Sequence, residues 1–374
     1  MDILQITGQQ ALMYIVGIIL IWLAIEKQYE PALLLPMGFG AIMVNLPLSG
    51  AINQEIAGIG NVNGIIEWLF EVGIEASEAL PVLLFIGIGA MIDFTPLLSR
   101  PILFLFGFAA QLGIFVAIGI SYLLGFSLKD AFSIGIIGAA DGPTSILVSQ
   151  ILKSHYVGPI AVAAYSYMAL VPIIQPITIK CITTKNERCI KMPYSNNSVS
   201  KRAKIIFPIA VTFVAGLFAP MSIGLVGFLM FGNLLRECGV LDYLSSTAQN
   251  ELVNLITIFL GITISFSMKA EEFVRPQTLL IMGIGLIAFI FDTVGGVLLA
   301  KLLNIFLVNK INPMVGAAGI SAFPMSSRVV QKLALKEDPA NIIIMQAAGA
   351  NVAGQIGSVV TGGFILSLYN NLMI

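Results

Sequence analysis

The chain has 374 residues, of which 57% are hydrophobic and 10% are charged, and its formal net charge is −1. Because ordinary soluble domains carry a charge on about a quarter of their residues, this composition excludes a soluble globular protein. No basic patch with interleaved aromatic residues is present, which argues against a nucleic-acid partner. We therefore expect an all-α, polytopic membrane protein.

Largely apolar runs follow one another from the N-terminus to the C-terminus. Several are long enough to cross a bilayer, and we interpret the shorter ones as half-spans or as members of broken pairs. The runs lie at residues 11–25, 31–47, 81–92, 102–124, 131–152, 157–179, 205–218, 223–235, 252–266, 278–299, 314–330 and 342–368.

The first 79 residues combine two membrane segments with a stretch of different character. Residues 53–80 hold glutamates between apolar residues, with Trp68 in the middle. This pattern is typical of an amphipathic segment at the membrane interface. A solvated helix packed on the bundle fits the same pattern.

One carboxylate, Asp141, lies inside the apolar run 131–152, within the string Gly138-Ala139-Ala140-Asp141-Gly142-Pro143-Thr144-Ser145. An ionised residue at that depth costs about 2.5 kcal/mol or more unless protein, water or an ion solvates it. Pro143 lacks an N–H and disfavours helix at the residue before it, so we expect the helix to break beside Asp141. The broken backbone and the carboxylate together favour a buried cation site. A structural kink with a protonated Asp141 is the alternative.

From about Leu80 the chain contains an internal repeat with an offset of about 174 to 184 residues. The matched strings are Gly87-Ile88-Gly89 with Gly261-Ile262-Thr263, Ser99-Arg100-Pro101 with Val274-Arg275-Pro276, and the 142–150 segment with the 323–331 segment. We therefore predict N-terminal membrane segments at 1–79, a first repeat at 80–180, a basic cytoplasmic linker at 181–204, connecting membrane segments at 205–250, and a second repeat at 251–374. The linker is rich in Lys and Arg, so the positive-inside rule places it in the cytosol, and its polar composition suggests a mobile connection.

Each repeat has an interrupted segment at the matching place, Gly138–Pro143 in the first and Asn312–Pro324 in the second. Paired broken segments in two halves indicate a binding site near the membrane midplane, and an inverted arrangement would make the two breaks face each other.

Polar side chains in otherwise apolar runs of the second repeat are the other candidates. Asn312 and Ser321 offer hard oxygen ligands to a cation, and Arg328 could receive an anionic substrate, neutralise Asp141 or snorkel to the interface. Asn351 and Ser358 lie in a glycine-rich string, where they supply ligands or cross-link packed helices.

Several further residues carry weaker signals. Tyr167 aligns with Asn351 in the repeat and is either an ion or proton contact or a core aromatic. Asp292 is a second intramembrane acid and a secondary candidate. Cys181, Cys189 and Cys238 lack metal-binding spacing. Ser267-Met268-Lys269-Ala270 faintly matches a biotin attachment string but has no β-rich carrier domain around it, so we reject it.

Three strings resemble the membrane-embedded beta subunit of the sodium-pumping biotin-dependent decarboxylases, the family that includes the oxaloacetate, glutaconyl-CoA and methylmalonyl-CoA enzymes. They are residues 138–144, 165–176 and 312–328, and the resemblance extends over nearly the whole chain from Leu80. It implies two inverted repeats with broken helices and an elevator-like architecture, trimeric assembly, and a place in the cytoplasmic membrane of a bacterium. The chain is shorter than the oxaloacetate members, which favours a CoA-ester enzyme.

The resemblance also implies roles for individual residues. The essential aspartate falls on Asp141, the functional tyrosine on Tyr167, the residues of the second break on Asn312, Gly316, Ser321 and Arg328, and the late asparagine on Asn351. On this hypothesis Asp141, Asn312, Gly316, Ser321 and Asn351 bind sodium. Asp141, Tyr167 and Arg328 take part in decarboxylation, and Arg328 binds carboxybiotin.

The implied function is decarboxylation of carboxybiotin coupled to sodium export. The carboxybiotin would be carried on a partner, and the expected partners are a carboxyltransferase subunit, a biotin carrier protein and a small single-span membrane subunit. The alternative is a sodium-coupled secondary transporter of a small organic anion, which would share the repeats and the broken helices.

Overall fold

The apolar runs of the sequence fold into helices of very different lengths. The structure is a computed structural model that describes residues 6–28, 31–56, 60–76, 79–192 and 199–373. Within these ranges, five helices are long and apolar enough to cross a membrane, and seven segments qualify if each of two bent helix pairs counts as one span. The expected all-α polytopic membrane class is confirmed.

The elements of the first half begin with two antiparallel-packed helices and end with a long, proline-containing one. They are α1 (Gly8–Glu26), α2 (Pro31–Asn45), β1 (Asn53–Ile56), β2 (Gly60–Asn63), α3 (Ile65–Phe70), α4 (Ala79–Met91), α5 (Thr95–Ser99), α6 (Phe104–Ala109), α7 (Leu112–Leu123), α8 (Leu128–Gly135), α9 (Gly142–Ile151) and α10 (Val157–Ile182). Short 3-10 turns at Pro101–Leu103 and Ile136–Ala139 and a π-helical turn at Glu71–Glu75 join some of them.

The elements of the second half begin with a short helix in the basic linker. Its elements are α11 (Lys185–Arg188), α12 (Lys201–Phe218), α13 (Ile223–Glu237), α14 (Asp242–Thr247), α15 (Val253–Ile264), α16 (Ala270–Phe273), α17 (Pro276–Phe306), α18 (Pro313–Ala317), α19 (Met325–Glu337) and α20 (Ile344–Met373). Turns of 3-10 type lie at Pro220–Ser222 and Ser265–Met268, and a π-helical turn lies at Ala248–Leu252.

The stretch 53–80, which we expected to be either an amphipathic segment at the interface or a solvated helix, is helical in only part of its described residues. Its first residues form the antiparallel hairpin β1–β2, with Asn53 opposite Asn63 and Ile56 opposite Gly60. Gly60 has φ 95°, a conformation that glycine adopts without a Cβ penalty. After the hairpin, α3 and the π-helical turn that follows it are helical, and Trp68 is exposed on α3, as a residue at the membrane interface would be.

Small residues set the closest helix crossings. Gly89 of α4 packs on the Leu229 carbonyl of α13, and Gly232 of α13 packs on the Ile86 carbonyl of α4. A side chain at either glycine would push the two backbones apart, which is the usual basis of tight helix packing in membranes. Elsewhere α2 packs against α15, α10 against α17, and α20 against α6.

The described first part of the basic linker forms ion pairs with other elements. Arg188 forms an ion pair with Glu337 at 3.2 Å, Lys191 with Asp338 at 3.2 Å, and Lys301 with Glu187 at 3.1 Å. Because composition does not reveal which distant acids complete the pairs, this contact could not be foreseen. The linker is thereby attached to the C-terminal end of α19.

Candidate functional site

The first interruption lies between α8 and α9. The chain leaves α8 through the 3-10 turn, passes through Ala140 in the left-handed region (φ 51°) and reaches Asp141 in an extended conformation (φ −135°, ψ 102°). Pro143 occupies the first turn of α9, where its missing N–H removes no helical hydrogen bond. The break that the sequence predicts beside Asp141 is confirmed.

The Asp141 carboxylate is buried and held by hydroxyl groups. Thr144 Oγ1 donates to Asp141 Oδ2 at 2.7 Å, and Ser358 Oγ of α20 donates to the same oxygen at 3.1 Å. These donors replace part of the water that a carboxylate loses in the membrane interior. Asp141 is therefore a solvated group within the protein rather than a lipid-facing one.

The second interruption comes between α18 and α19 and touches the first. Ser321 Oγ donates a hydrogen bond to the Ala139 carbonyl, and Gln355 Nε2 of α20 donates to the Ser321 carbonyl. Asn351 Nδ2, one turn earlier on α20, donates to the Ile320 carbonyl at 2.6 Å. The two breaks and α20 thus form one polar cluster around Asp141, which we call the break cluster: Ala139, Asp141, Thr144, Ser321, Asn351, Gln355 and Ser358.

Two side-chain amide oxygens of the break cluster have no hydrogen-bond donor among the described residues. They are Asn351 Oδ1 and Gln355 Oε1, and both are buried. The amide orientation of both side chains is set by the carbonyls that accept from their nitrogens. Buried acceptors without partners are costly, and a cation is one ligand that such oxygens stabilise.

The donor set fits a hard monovalent cation. The break cluster contains one carboxylate, two amide oxygens and three hydroxyls, all of them oxygen ligands. Among the described residues no group of three or more His, Cys, Asp or Glu side chains could hold a metal ion. The break cluster is a candidate alkali-cation site.

Tyr167 lies near the break cluster, but its hydroxyl bonds to a residue outside the cluster. Its hydroxyl donates to the Met282 carbonyl of α17, and its ring packs against Gly285 of the same helix. Ile137 of the first break contacts the same glycine. Tyr165, two residues earlier, places its ring on Gly142, directly after Asp141.

Asn312 and Gly316 hold α18 in place. Asn312 accepts from the Met314 amide as the N-cap of α18, and its Nδ2 donates to the Arg188 and Ile190 carbonyls of the linker, both at 2.8 Å. Gly316 packs on the Gly296 carbonyl of α17, where a Cβ would clash. Within the described residues, neither has a hydrogen bond to Asp141.

Arg328 lies one turn into α19, on the exposed side of that helix. No hydrogen bond or ion pair joins it to Asp141 within the described chain. Of its three sequence interpretations, neutralisation of Asp141 has no contact to support it, whereas binding of an external anion requires the exposure that the residue has.

Sequence reasoning missed Thr144 and Gln355. Thr144 follows Asp141 by three residues, the spacing at which a side chain in the first turn of a helix reaches an N-cap residue. Gln355 and Ser358 follow Asn351 by four and seven residues, which places all three on one face of α20. These spacings were the available signals.

Comparison with known proteins gives matches along nearly the whole chain. The family described as the Na+-transporting oxaloacetate decarboxylase beta subunit matches residues 9–369. The chain is 47% identical to the methylmalonyl-CoA decarboxylase subunit beta of Propionigenium modestum over 378 residues, covering 96% of this chain and 94% of the relative.

Two further relatives carry different substrate names. The glutaconyl-CoA decarboxylase subunit beta of Acidaminococcus fermentans is 46% identical over 362 residues, covering 97% of this chain and 94% of the relative. The oxaloacetate decarboxylase beta chain of Klebsiella pneumoniae is 41% identical over 419 residues, covering 98% of this chain and 96% of the relative.

Proposed function

The chain belongs to the family of the Na+-transporting oxaloacetate decarboxylase beta subunits, and we propose that it decarboxylates carboxybiotin presented by a partner and couples this reaction to sodium export. It acts as one subunit of a multisubunit decarboxylase in the bacterial inner membrane, which it crosses several times. Decarboxylation consumes one proton and releases biotin and carbon dioxide.

The observation that carries the proposal is the environment of Asp141. The carboxylate belongs to the first broken segment, which touches the second through Ala139 and Ser321, and it accepts a hydrogen bond from Ser358 of α20. The unpartnered oxygens of Asn351 and Gln355 belong to the same cluster. A sodium ion held by the carboxylate and these amide oxygens would satisfy all of them at once.

We assign the sodium ligands to Asp141, Ser321, Asn351 and Gln355. Asn312 and Gly316, which the resemblance also offers as ligands, instead hold α18 against the linker and α17. Their contacts support this role. The side-chain amide of Asn312 already bonds to the linker, and Gly316 packs so closely on α17 that no side chain would fit there.

Arg328 receives the carboxylate of carboxybiotin from the aqueous side. Its exposure on α19 supports this role, since a guanidinium can bind a carboxylate through two parallel hydrogen bonds. Tyr167 fixes α10 on α17 beside the first break and takes part in the proton step.

The coupling has a minimum energetic requirement. Moving one charge against 100 mV costs roughly 2.3 kcal/mol, so decarboxylation must bias the outward-facing state by at least that amount per ion. Two inverted repeats that move as an elevator would provide the two states. The order of the helices in the first repeat recurs in the second repeat, which supports this arrangement. The packing of α2 on α15 and the matching packing of α4 on α13 support it as well.

The expected partners are a carboxyltransferase subunit, a biotin carrier and a single-span membrane subunit, and the subunit itself assembles as a homotrimer. We propose a CoA ester as the parent substrate. The alignment lengths support this choice, since the CoA-ester relatives align over 378 and 362 residues and the oxaloacetate chain needs 419.

The function is tested in membranes that contain the complete complex. Sodium should stimulate decarboxylation of carboxybiotin, and Asp141→Asn should abolish this stimulation while carboxyl transfer by the partner subunit continues. Asp242→Asn, which alters an exposed acid, is the control and should behave like the unaltered complex. Sodium-stimulated decarboxylation that survives Asp141→Asn would contradict the proposal, and sodium-dependent solute uptake by this chain alone would favour the transporter alternative.

A further inference from the structure

Asp292 is a buried acid in the membrane-length helix α17, and the site described above does not use it. It lies in the middle of α17 with no exposed surface. Its Oδ1 accepts a hydrogen bond from the Gly113 amide at 2.7 Å, and its Oδ2 has no hydrogen-bond partner among the described residues. The hydrogen-bond partner of Asp292 is therefore a backbone amide at the start of α7.

The start of α7 lies inside the protein because the membrane span 101–123 is interrupted. α6 ends at Ala109, and α7 begins at Leu112. The first amides of any helix lack partners within the helix, and in a membrane no water is at hand to satisfy them. Asp292 supplies the acceptor for the Gly113 amide through its Oδ1.

The same end of α7 supports the first break. A Cβ built on Gly138 would lie 2.8 Å from the Ile114 nitrogen and 3.0 Å from the Gly113 carbonyl carbon. On the opposite side, Gly113 packs directly on the Ala288 carbonyl and on Asp292. The α7 N-terminus is thus enclosed between Asp292 and Gly138, and Gly138 precedes Asp141 by three residues.

We propose that Asp292 is a positioning residue of the sodium site. By fixing the Gly113 amide, it holds the start of α7, the surface against which Gly138 packs. It thereby sets the position of the Ala139 carbonyl and the Asp141 carboxylate. It binds neither sodium nor carboxybiotin and transfers no proton.

The role predicts different results from two substitutions at the same position. Asp292→Asn keeps an oxygen that can accept from Gly113, whereas Asp292→Ala leaves the Gly113 amide unpaired. If Asp292 acts through position alone, the asparagine variant should rescue what the alanine variant loses. If its charge acts directly on an ion or a proton, both variants should fail equally.

The test measures the half-saturating sodium concentration in two ways. One is the sodium-induced rise in thermal stability of the purified full chain, which requires no turnover. The other is the sodium dependence of decarboxylation by the complete complex, which separates half-saturation from maximal rate. Asp292→Ala should raise the half-saturating concentration about tenfold or more in both, while Asp292→Asn should stay within about twofold of the unaltered protein.

A pair of glycine substitutions tests the same contact with Asp292 intact. Gly138→Ala should raise the half-saturating sodium concentration because its methyl group would push on Ile114. Gly119→Ala, farther along α7, should not, since a Cβ there meets nothing within 4 Å. This pair decides the question even if Asp292→Ala does not fold.

The outcomes are distinguishable, although the inference rests on the proposed function. Equal failure of Asp292→Asn and Asp292→Ala, normal sodium dependence in Asp292→Ala, or no difference between the two glycine variants would overturn the positioning role. Absence of any sodium effect on the unaltered protein would instead contradict the proposed function itself.

Discussion

The Ser321 hydroxyl donates a hydrogen bond to the Ala139 carbonyl, so the two interrupted segments of the chain are joined directly although 182 residues separate them. Gln355 then donates to the Ser321 carbonyl, which attaches this junction to α20. Any movement of one break relative to the other must break or carry this bond. The junction is therefore where ion binding and conformational change would be coupled.

Substitution of Ser321 tests the junction. Ser321→Ala removes the donor and leaves the Ala139 carbonyl buried without it, at a cost of about 1–3 kcal/mol. We expect the half-saturating sodium concentration for decarboxylation to rise about tenfold. Ser327→Ala is the matched control, since that hydroxyl bonds to the Pro324 carbonyl of its own segment at 2.9 Å. Equal sodium dependence in the two variants would refute the role of the junction.

The unpartnered amide oxygens lead to a second prediction. Asn351→Ala and Gln355→Ala each remove one oxygen from the break cluster, and we expect each to weaken sodium binding about tenfold in a thermal-stability titration. The double variant should lose less than the sum of the two, because the ligands of one ion are coupled. Gln346→Ala, on the same helix but outside the cluster, should leave the titration unchanged. Normal binding in Gln355→Ala would remove that residue from the site.

The sequence was sufficient to locate the first break because all of its signals are local. Gly138, Gly142 and Pro143 lie within a few residues of Asp141, and the charge stands alone in an apolar run. The polar face of α20 was only partly found: Asn351 was identified, but Gln355 was not, although helical spacing places them together.

Other features depend on contacts between distant parts of the chain. Asn312 bonds to the Arg188 carbonyl 124 residues away, and no local pattern indicates this partner. The hairpin at Asn53–Asn63 was missed because short polar strands lack the alternation that marks a half-buried strand. Both are decided by tertiary packing rather than by propensity.

The contacts of Asn312 give a third prediction, which separates a structural residue from an ion ligand. Asn312→Ala removes an N-cap, worth about 1 kcal/mol, and two hydrogen bonds to the linker. We expect faster proteolysis of the linker and a lower melting temperature, with the half-saturating sodium concentration changed by no more than about twofold. Asn312→Asp keeps the acceptor for Met314 and loses the donors, so it should loosen the linker alone. A large loss of sodium affinity with an intact linker would restore Asn312 as a ligand.

The attachment of the linker should depend on pH through Glu187. Burial opposes the ionised form of this carboxylate, but the Thr184 amide, Lys301 and the Thr184 hydroxyl outweigh it and hold the pKa of Glu187 below its ordinary value of 4.5. A group whose pKa is lowered by folding contributes stability above the unfolded value, and this contribution is lost as the pH falls through the folded value.

Because Glu187 is partly exposed, we expect an effect of less than about 1 kcal/mol. The protection of the linker amides, measured as their exchange rate relative to that of an unfolded peptide at the same pH, should therefore decrease as the pH falls below about 4.5 in the unaltered protein. The other acids of the linker contact, Glu337 and Asp338, are common to all variants, so the comparison with Glu187→Gln isolates this residue. The Glu187→Gln protein should exchange faster at pH 6 and change less on acidification, while Lys185→Ala, at an exposed lysine of the same short helix, should match the unaltered protein. An identical pH profile for Glu187→Gln and the unaltered protein would exclude Glu187 as the source of the dependence.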